Sequence, residues 1–223
     1  MEILFNFPWS LLQGKWVISG HDSWSKQLLA LYLSLLASRE GIVYLVTYQP
    51  IRIELIDELK DVVEKIGYNE DNIIVVHRRR LEKIDNARLI IFYEIPYTPK
   101  IDFSNIIIFT TPGSGVRKYR DWTRITLKKV DEKEYLLKTP EGYLRLTIST
   151  KYIGLSKPLT GIYLEALNLL RKSIVEYGSL TIRDAIEILA YNLGLKKHKA
   201  RELLGYLVKK GYVKIENKEL IVY

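Results

Sequence analysis

Gly20-His21-Asp22-Ser23-Trp24-Ser25-Lys26-Gln27 lies between a short apolar run, Lys15 to Ser19, and a leucine-rich segment, Leu28 to Ala37. Strand, loop, then helix is the setting of a phosphate-binding loop, and the spacing from Gly20 to Lys26 fits that pattern. The chemistry departs from it at two places. A glycine before the lysine lets backbone amides close on phosphate; Ser25 stands there. A Ser or Thr after the lysine holds magnesium; Gln27 stands there. Gly20, Ser25, Lys26 and Gln27 therefore read as the remains of a nucleotide site, in a chain that keeps the fold and loses the hydrolysis.

On either side of this stretch the pattern alternates between strand and helix. Leu28 to Ala37 is apolar on nearly every face, which predicts a helix buried against a sheet. Ile42 to Thr47 is a near-continuous β-branched and aromatic run, the signature of a parallel strand covered on both faces. Ile51 to Ile66 has helical spacing and is followed by Gly67. Asn72 to His77, Arg88 to Tyr93 and Asn105 to Thr110 predict three more strands. The alternation implies an α/β domain with a mostly parallel sheet. After Thr111 the character changes. Trp122 to Val130, Glu134 to Thr139 and Tyr143 to Ser149 alternate between turns, and predict an antiparallel meander that extends the sheet.

Leu155 to Thr160 marks a linker, dividing the chain into domains at 1–154 and 155–223. Beyond it come three helical patterns: Ile162 to Tyr177, Thr181 to Leu193 and Lys196 to Lys210. Tyr212 to Glu216 and Glu219 to Tyr223 flank Asn217-Lys218 as a hairpin. Three helices followed by a hairpin is the order of a winged helix, a helix-turn-helix variant.

Composition bounds the function. The chain has 223 residues, is 48% apolar and 27% charged, and carries a net charge of +8, which favours a polyanionic partner such as nucleic acid. It has no cysteine, so disulfides and thiolate metal sites are excluded. No apolar run is long enough to span a membrane, and Met1-Glu2-Ile3 lacks the basic start of a secretory signal, so a cytoplasmic location is expected. The Lys, Glu, Ile and Tyr content has a thermophilic cast.

In their order and spacing, these pieces resemble the RecA/RadA recombinase core, and especially the shortened archaeal RadA paralogues, over roughly residues 10–150. Val17 to Leu36 looks like that family's first strand, phosphate loop and helix. Leu89 to Tyr93 takes the place of the Walker B strand, and Gly113 to Leu127 resembles the loop and strand that face DNA. The departures fall at catalytic positions. Gln27 replaces the magnesium hydroxyl. Tyr48 stands where the resemblance puts the water-activating Glu, and Tyr93 where it puts the metal-associated Asp. Glu94 comes one position late, and on a strand one step reverses the face. Because phosphoryl transfer is largely positioning and charge neutralisation around magnesium, these losses imply a pseudo-ATPase without a working cofactor. Residual ATP binding through Lys26 stays open beside a solvated lysine at a helix start. A weak ATPase using Glu94 is an alternative.

The expected chemistry is therefore binding. Lys196, Lys197, Lys199 and Arg201 open the third helix of the C-terminal domain, the recognition position, with Lys218 at the hairpin tip; they would reach phosphates or base edges of DNA. Protein docking by the same module, as a scaffold or as part of a transcription regulator, is the other possibility. Arg117, Lys118 and Arg120, beside Tyr119 and Trp122, suit single strands through phosphate contact and stacking, unless the two aromatics are core. Arg78-Arg79-Arg80 follows a strand end and either joins that surface or forms a solvated turn. The implied partners are single- or double-stranded DNA and an active recombinase or other protein subunit in recombination or repair.

Overall fold

The computed structural model describes residues 7–64, 67–77, 84, 86–97, 99, 101, 103–112 and 121–223. The chain divides into two compact units, Met1–Lys129 with Lys133–Ser156 and Val130–Glu132 with Lys157–Tyr223. Among the described residues no helix is long and apolar enough to cross a membrane.

The first unit is mixed α/β. Its strands are β1 (Lys15–Ser19), β2 (Ile42–Thr47), β3 (Ile73–His77), β4 (Ala87–Tyr93), β5 (Ile106–Thr110), β6 (Thr123–Lys129), β7 (Glu134–Thr139), β8 (Gly142–Ser149) and β9 (Tyr152–Leu155). They form one nine-stranded sheet in the order β3-β2-β4-β5-β1-β6-β7-β8-β9. The strands from β3 to β6 in that order pair in parallel; β7, β8 and β9 follow antiparallel. The expected meander thus needs one correction: its first strand, β6, joins β1 in parallel, and the antiparallel part begins at β7. Alternation cannot reveal strand direction, because both directions share a period of two. The sequence pattern also missed β9, a short strand whose Tyr152 and Leu155 are exposed.

Alternate residues of the central strands enter two cores. Leu89, Ile91, Tyr93, Ile107 and Phe109 face the side covered by helices α1 (Ser23–Ser38) and α2 (Leu55–Val63). Val17, Ile90, Phe92, Ile106 and Ile108 pack on the other side with Ile101, Phe103 and Trp122. Every residue of β5 is buried, as a strand covered on both faces requires. From Ser25 to Ser38, α1 is buried at every position except Gln27. Helix α2 is shorter than its periodicity suggests. The regular helix starts only at Leu55, and ahead of it the Arg52 amide donates to the Gln27 side chain at 3.3 Å.

The second unit holds α3 (Gly161–Tyr177), α4 (Ile182–Asn192) and α5 (Lys197–Lys209), then a hairpin of β10 (Val213–Glu216) and β11 (Glu219–Val222). A capping box between Thr181 and Asp184 starts α4. Gly194, at a φ of +61°, turns the chain between α4 and α5. Asn217 and Lys218 both have positive φ, the conformation a two-residue hairpin turn demands. Leu170, Leu189, Leu207 and Val213 lie in a separate apolar core.

Candidate functional site

Strand β1 lies between β5 and β6, so the chain leaves it toward one edge of the sheet and later extends the other. In open α/β sheets ligand crevices form outside the carboxyl ends of strands at such a reversal. A cleft of about 690 Å³ lies there, lined by Gly20, His21, Asp22, Pro112 and Thr126 to Lys129. The loop Gly20-His21-Asp22 forms one wall of it.

That loop is short. Helix α1 begins at Ser23, so only Gly20, His21 and Asp22 separate it from β1. Ser25, where the pattern has its second glycine, is already helical and buried. One of the amides that an anion would meet at the helix start, that of Ser25, is occupied. The Asp22 carboxylate caps the helix, accepting from the Ser25 amide at 2.9 Å, and also accepts from the Tyr135 hydroxyl at 3.0 Å. Burial acts to raise the Asp22 carboxyl. The hydrogen bonds from Ser25 and Tyr135 and the charge of Lys129 outweigh it and hold the group below its ordinary value. Burial first, then the charge of Asp22, pushes the Tyr135 hydroxyl upward. Gly20 has a packing role: a Cβ there would stand 2.7 Å from the Leu127 carbonyl of β6.

Lys26 is neither solvated nor open to a ligand. It is 1% exposed and ion-paired with the Glu94 carboxylate, and its ammonium donates to the Thr111 hydroxyl at 3.0 Å. Glu94 also accepts from the Thr111 amide at 3.2 Å and hydroxyl at 2.9 Å. The face-reversal expected for Glu94 does not hold. Strand β4 ends at Tyr93, and Glu94 turns with a φ of +49°, which brings its carboxylate to Lys26. Tyr93, at the expected place of an acid, is buried and bonds Ser23 Oγ at 3.0 Å. Tyr48 packs edge-on against Tyr97, ring centroids 5.5 Å apart. Gln27 ties the chain after β2 to α1, donating to Ser23 Oγ at 3.3 Å while its carbonyl receives the Arg52 amide.

Lys26 and the Ser25 amide thus both have internal partners. Asp22 occupies the helix start and Glu94 neutralises the lysine. Nothing in the residue types around His21 and Asp22 by itself separates a polar loop from a catalytic pair. The capping role of Asp22 could have been read from an Asp three residues before Ser25 at a helix start. The part played by Glu94 could not, because a positive φ at a glutamate has no sequence signal. Among the described residues no group of three or more His, Cys, Asp or Glu is placed to hold a metal.

The low pKa of Asp22 has a consequence for acid stability. A carboxyl depressed on folding contributes stability that is present above its ordinary value of 3.8 and is lost as pH falls through the folded value. Asp22→Asn should flatten that part of the acid unfolding curve below about pH 4, measured by circular dichroism. An unchanged acid limb would show that the cap carries no charge-dependent stability.

Of the eight cations expected to meet DNA, five lie among the described residues. Lys196, Lys197, Lys199 and Arg201, at the start of α5, and Lys218, on the β10–β11 turn, are exposed. Lys197 pairs with Glu187 at 3.4 Å and Lys199 with Glu202 at 2.8 Å. Lys128 and Lys129 add charge to the cleft beside β1. Arg117, Lys118, Tyr119 and Arg120, and likewise Arg78 to Arg80, lie outside the described residues. Trp122 is half-buried and packs against the core on the face opposite α1. Tyr191, 88% exposed near the end of α4, went unnoticed in the sequence, since a lone aromatic in a helical pattern reads as core.

No protein-family profile matches the chain, and no curated protein matches it in sequence.

Proposed function

We propose that this chain is a non-catalytic DNA-binding protein: a RecA-like core with a self-filled phosphate site, joined to a winged helix that engages the nucleic acid. One observation carries this reading. Lys196, Lys197, Lys199 and Arg201 stand exposed at the start of α5, which follows α4 through a tight turn at Gly194. In a helix-turn-helix the second helix presents its N-terminal side chains to the groove, and cations there meet phosphates. The core supports the reading from its side. A strand, a short loop and a buried helix sit at the reversal of a mostly parallel sheet, and the charges that would hold phosphate are spent on Asp22 and Glu94. Action beside an active recombinase, in recombination or repair, follows from the resemblance of residues 10–150 to RecA/RadA paralogues. A weak ATPase using Glu94 is disfavoured, since that carboxylate is already held by Lys26 and Thr111.

The test is fluorescence anisotropy with labelled single- and double-stranded oligonucleotides over a salt series, with and without ATP and magnesium. Binding should weaken steeply with salt, with a slope of log K against log salt steeper than about −3, near −0.9 per phosphate contacted. ATP should leave the curves unchanged. Absence of binding at low salt would refute the reading.

A further inference from the structure

Gly205 lies in the middle of α5, exposed, with nothing within 4 Å of where a Cβ would stand. Its φ is not among the positive ones, and it ends no helix, makes no turn and allows no close packing within the chain. Glycine is among the poorest helix formers, so the free protein gains nothing from it there. A missing Cβ at such a place matters only to something that approaches from outside.

The neighbours of Gly205 on the helix surface indicate what that is. Residues four apart follow one ridge, so Arg201 lies one turn before Gly205 and Lys209 one turn after it, all three exposed. The one acidic residue of α5, Glu202, is paired with Lys199 at 2.8 Å. A gap flanked by cations complements a polyanion that comes close to the helix backbone. Resting on the DNA-binding reading above, we infer that α5 enters the major groove of double-stranded DNA with Gly205 at its closest approach. An α-helix with its side chains is about 10–12 Å across and the major groove of B-DNA about 12 Å wide, so a bulky residue at mid-helix holds the helix out. The deep, narrow groove of A-form RNA admits no helix.

The experiment compares the wild type, Gly205→Ala and Gly205→Leu for binding to a DNA duplex, the corresponding single strand and an RNA duplex. Melting of each variant is followed in parallel. Both variants should melt no lower than the wild type, and Gly205→Ala about 4 °C higher, because the site is open and glycine is the poorer helix former. Gly205→Leu should bind the DNA duplex about tenfold more weakly, with Gly205→Ala between it and the wild type. Wild-type binding to the DNA duplex should exceed binding to the single strand and to the RNA duplex. A wild-type protein that binds DNA while Gly205→Leu binds the duplex equally well overturns this inference and leaves the broader reading standing. So does a preference for single strands or for the RNA duplex. A wild-type protein that binds no DNA removes both.

Discussion

Replacing Lys26 by Met should destabilise the first unit by about 3–5 kcal/mol, the usual cost of leaving one member of a buried ion pair alone. Lys26 is 1% exposed and the Glu94 side chain 7%, so solvent cannot take over the lost partner. The carboxylate would keep only the Thr111 amide and hydroxyl. Glu94→Gln should cost a comparable amount by stranding the ammonium. The double variant should recover to within about 2 kcal/mol of the wild type, because it buries no uncompensated charge. Urea unfolding of the four proteins measures the cycle. A preserved phosphate contact makes the opposite forecast: Lys26→Met would leave stability intact and remove nucleotide binding. A loss below about 1 kcal/mol in the single variant would mean that the pair does not form. Magnesium-dependent ATP turnover abolished by Lys26→Met would revive the weak ATPase.

Reversing Lys196, Lys197 and Lys199 to Glu together should lower DNA affinity by about 100-fold or more and flatten the salt slope by about 2–3. Lysines on phosphate act through counterion release, so the loss should be nearly the same for every sequence. The fold should survive the change. All three side chains are exposed, and the pairs that Lys197 and Lys199 make with Glu187 and Glu202 are surface pairs of little strength. Identical circular dichroism and melting beside lost binding would tie the effect to the interface. Unchanged binding would exclude α5 as the contact and favour protein docking by the same unit.

Most of the fold was legible in the chain because its elements announce themselves by period. Ile42–Thr47 and Ile106–Thr110 are continuous apolar runs and became central strands; Leu28–Ala37 is apolar all round and became the buried α1. In the second unit the helical patterns over Ile162–Tyr177, Thr181–Leu193 and Lys196–Lys210 became α3, α4 and α5, and Asn217-Lys218 became the hairpin turn. Less was legible where a local pattern fits two arrangements. β6 alternates as an antiparallel strand would, yet it pairs in parallel with β1. Ile51 to Glu54 continue the helical spacing of α2 backwards, yet the regular helix starts only at Leu55.

The sequence alone established Gln27 after Lys26, Tyr93 at the end of an apolar run, and the run of cations from Lys196 to Arg201, because identities at fixed spacing need no coordinates. Only the tertiary structure could show what became of Lys26. Glu94 lies 68 residues away along the chain and meets it through a single residue of left-handed backbone after β4. Which carboxylate reaches a buried ammonium depends on where two strand ends converge, and no local pattern records that distance.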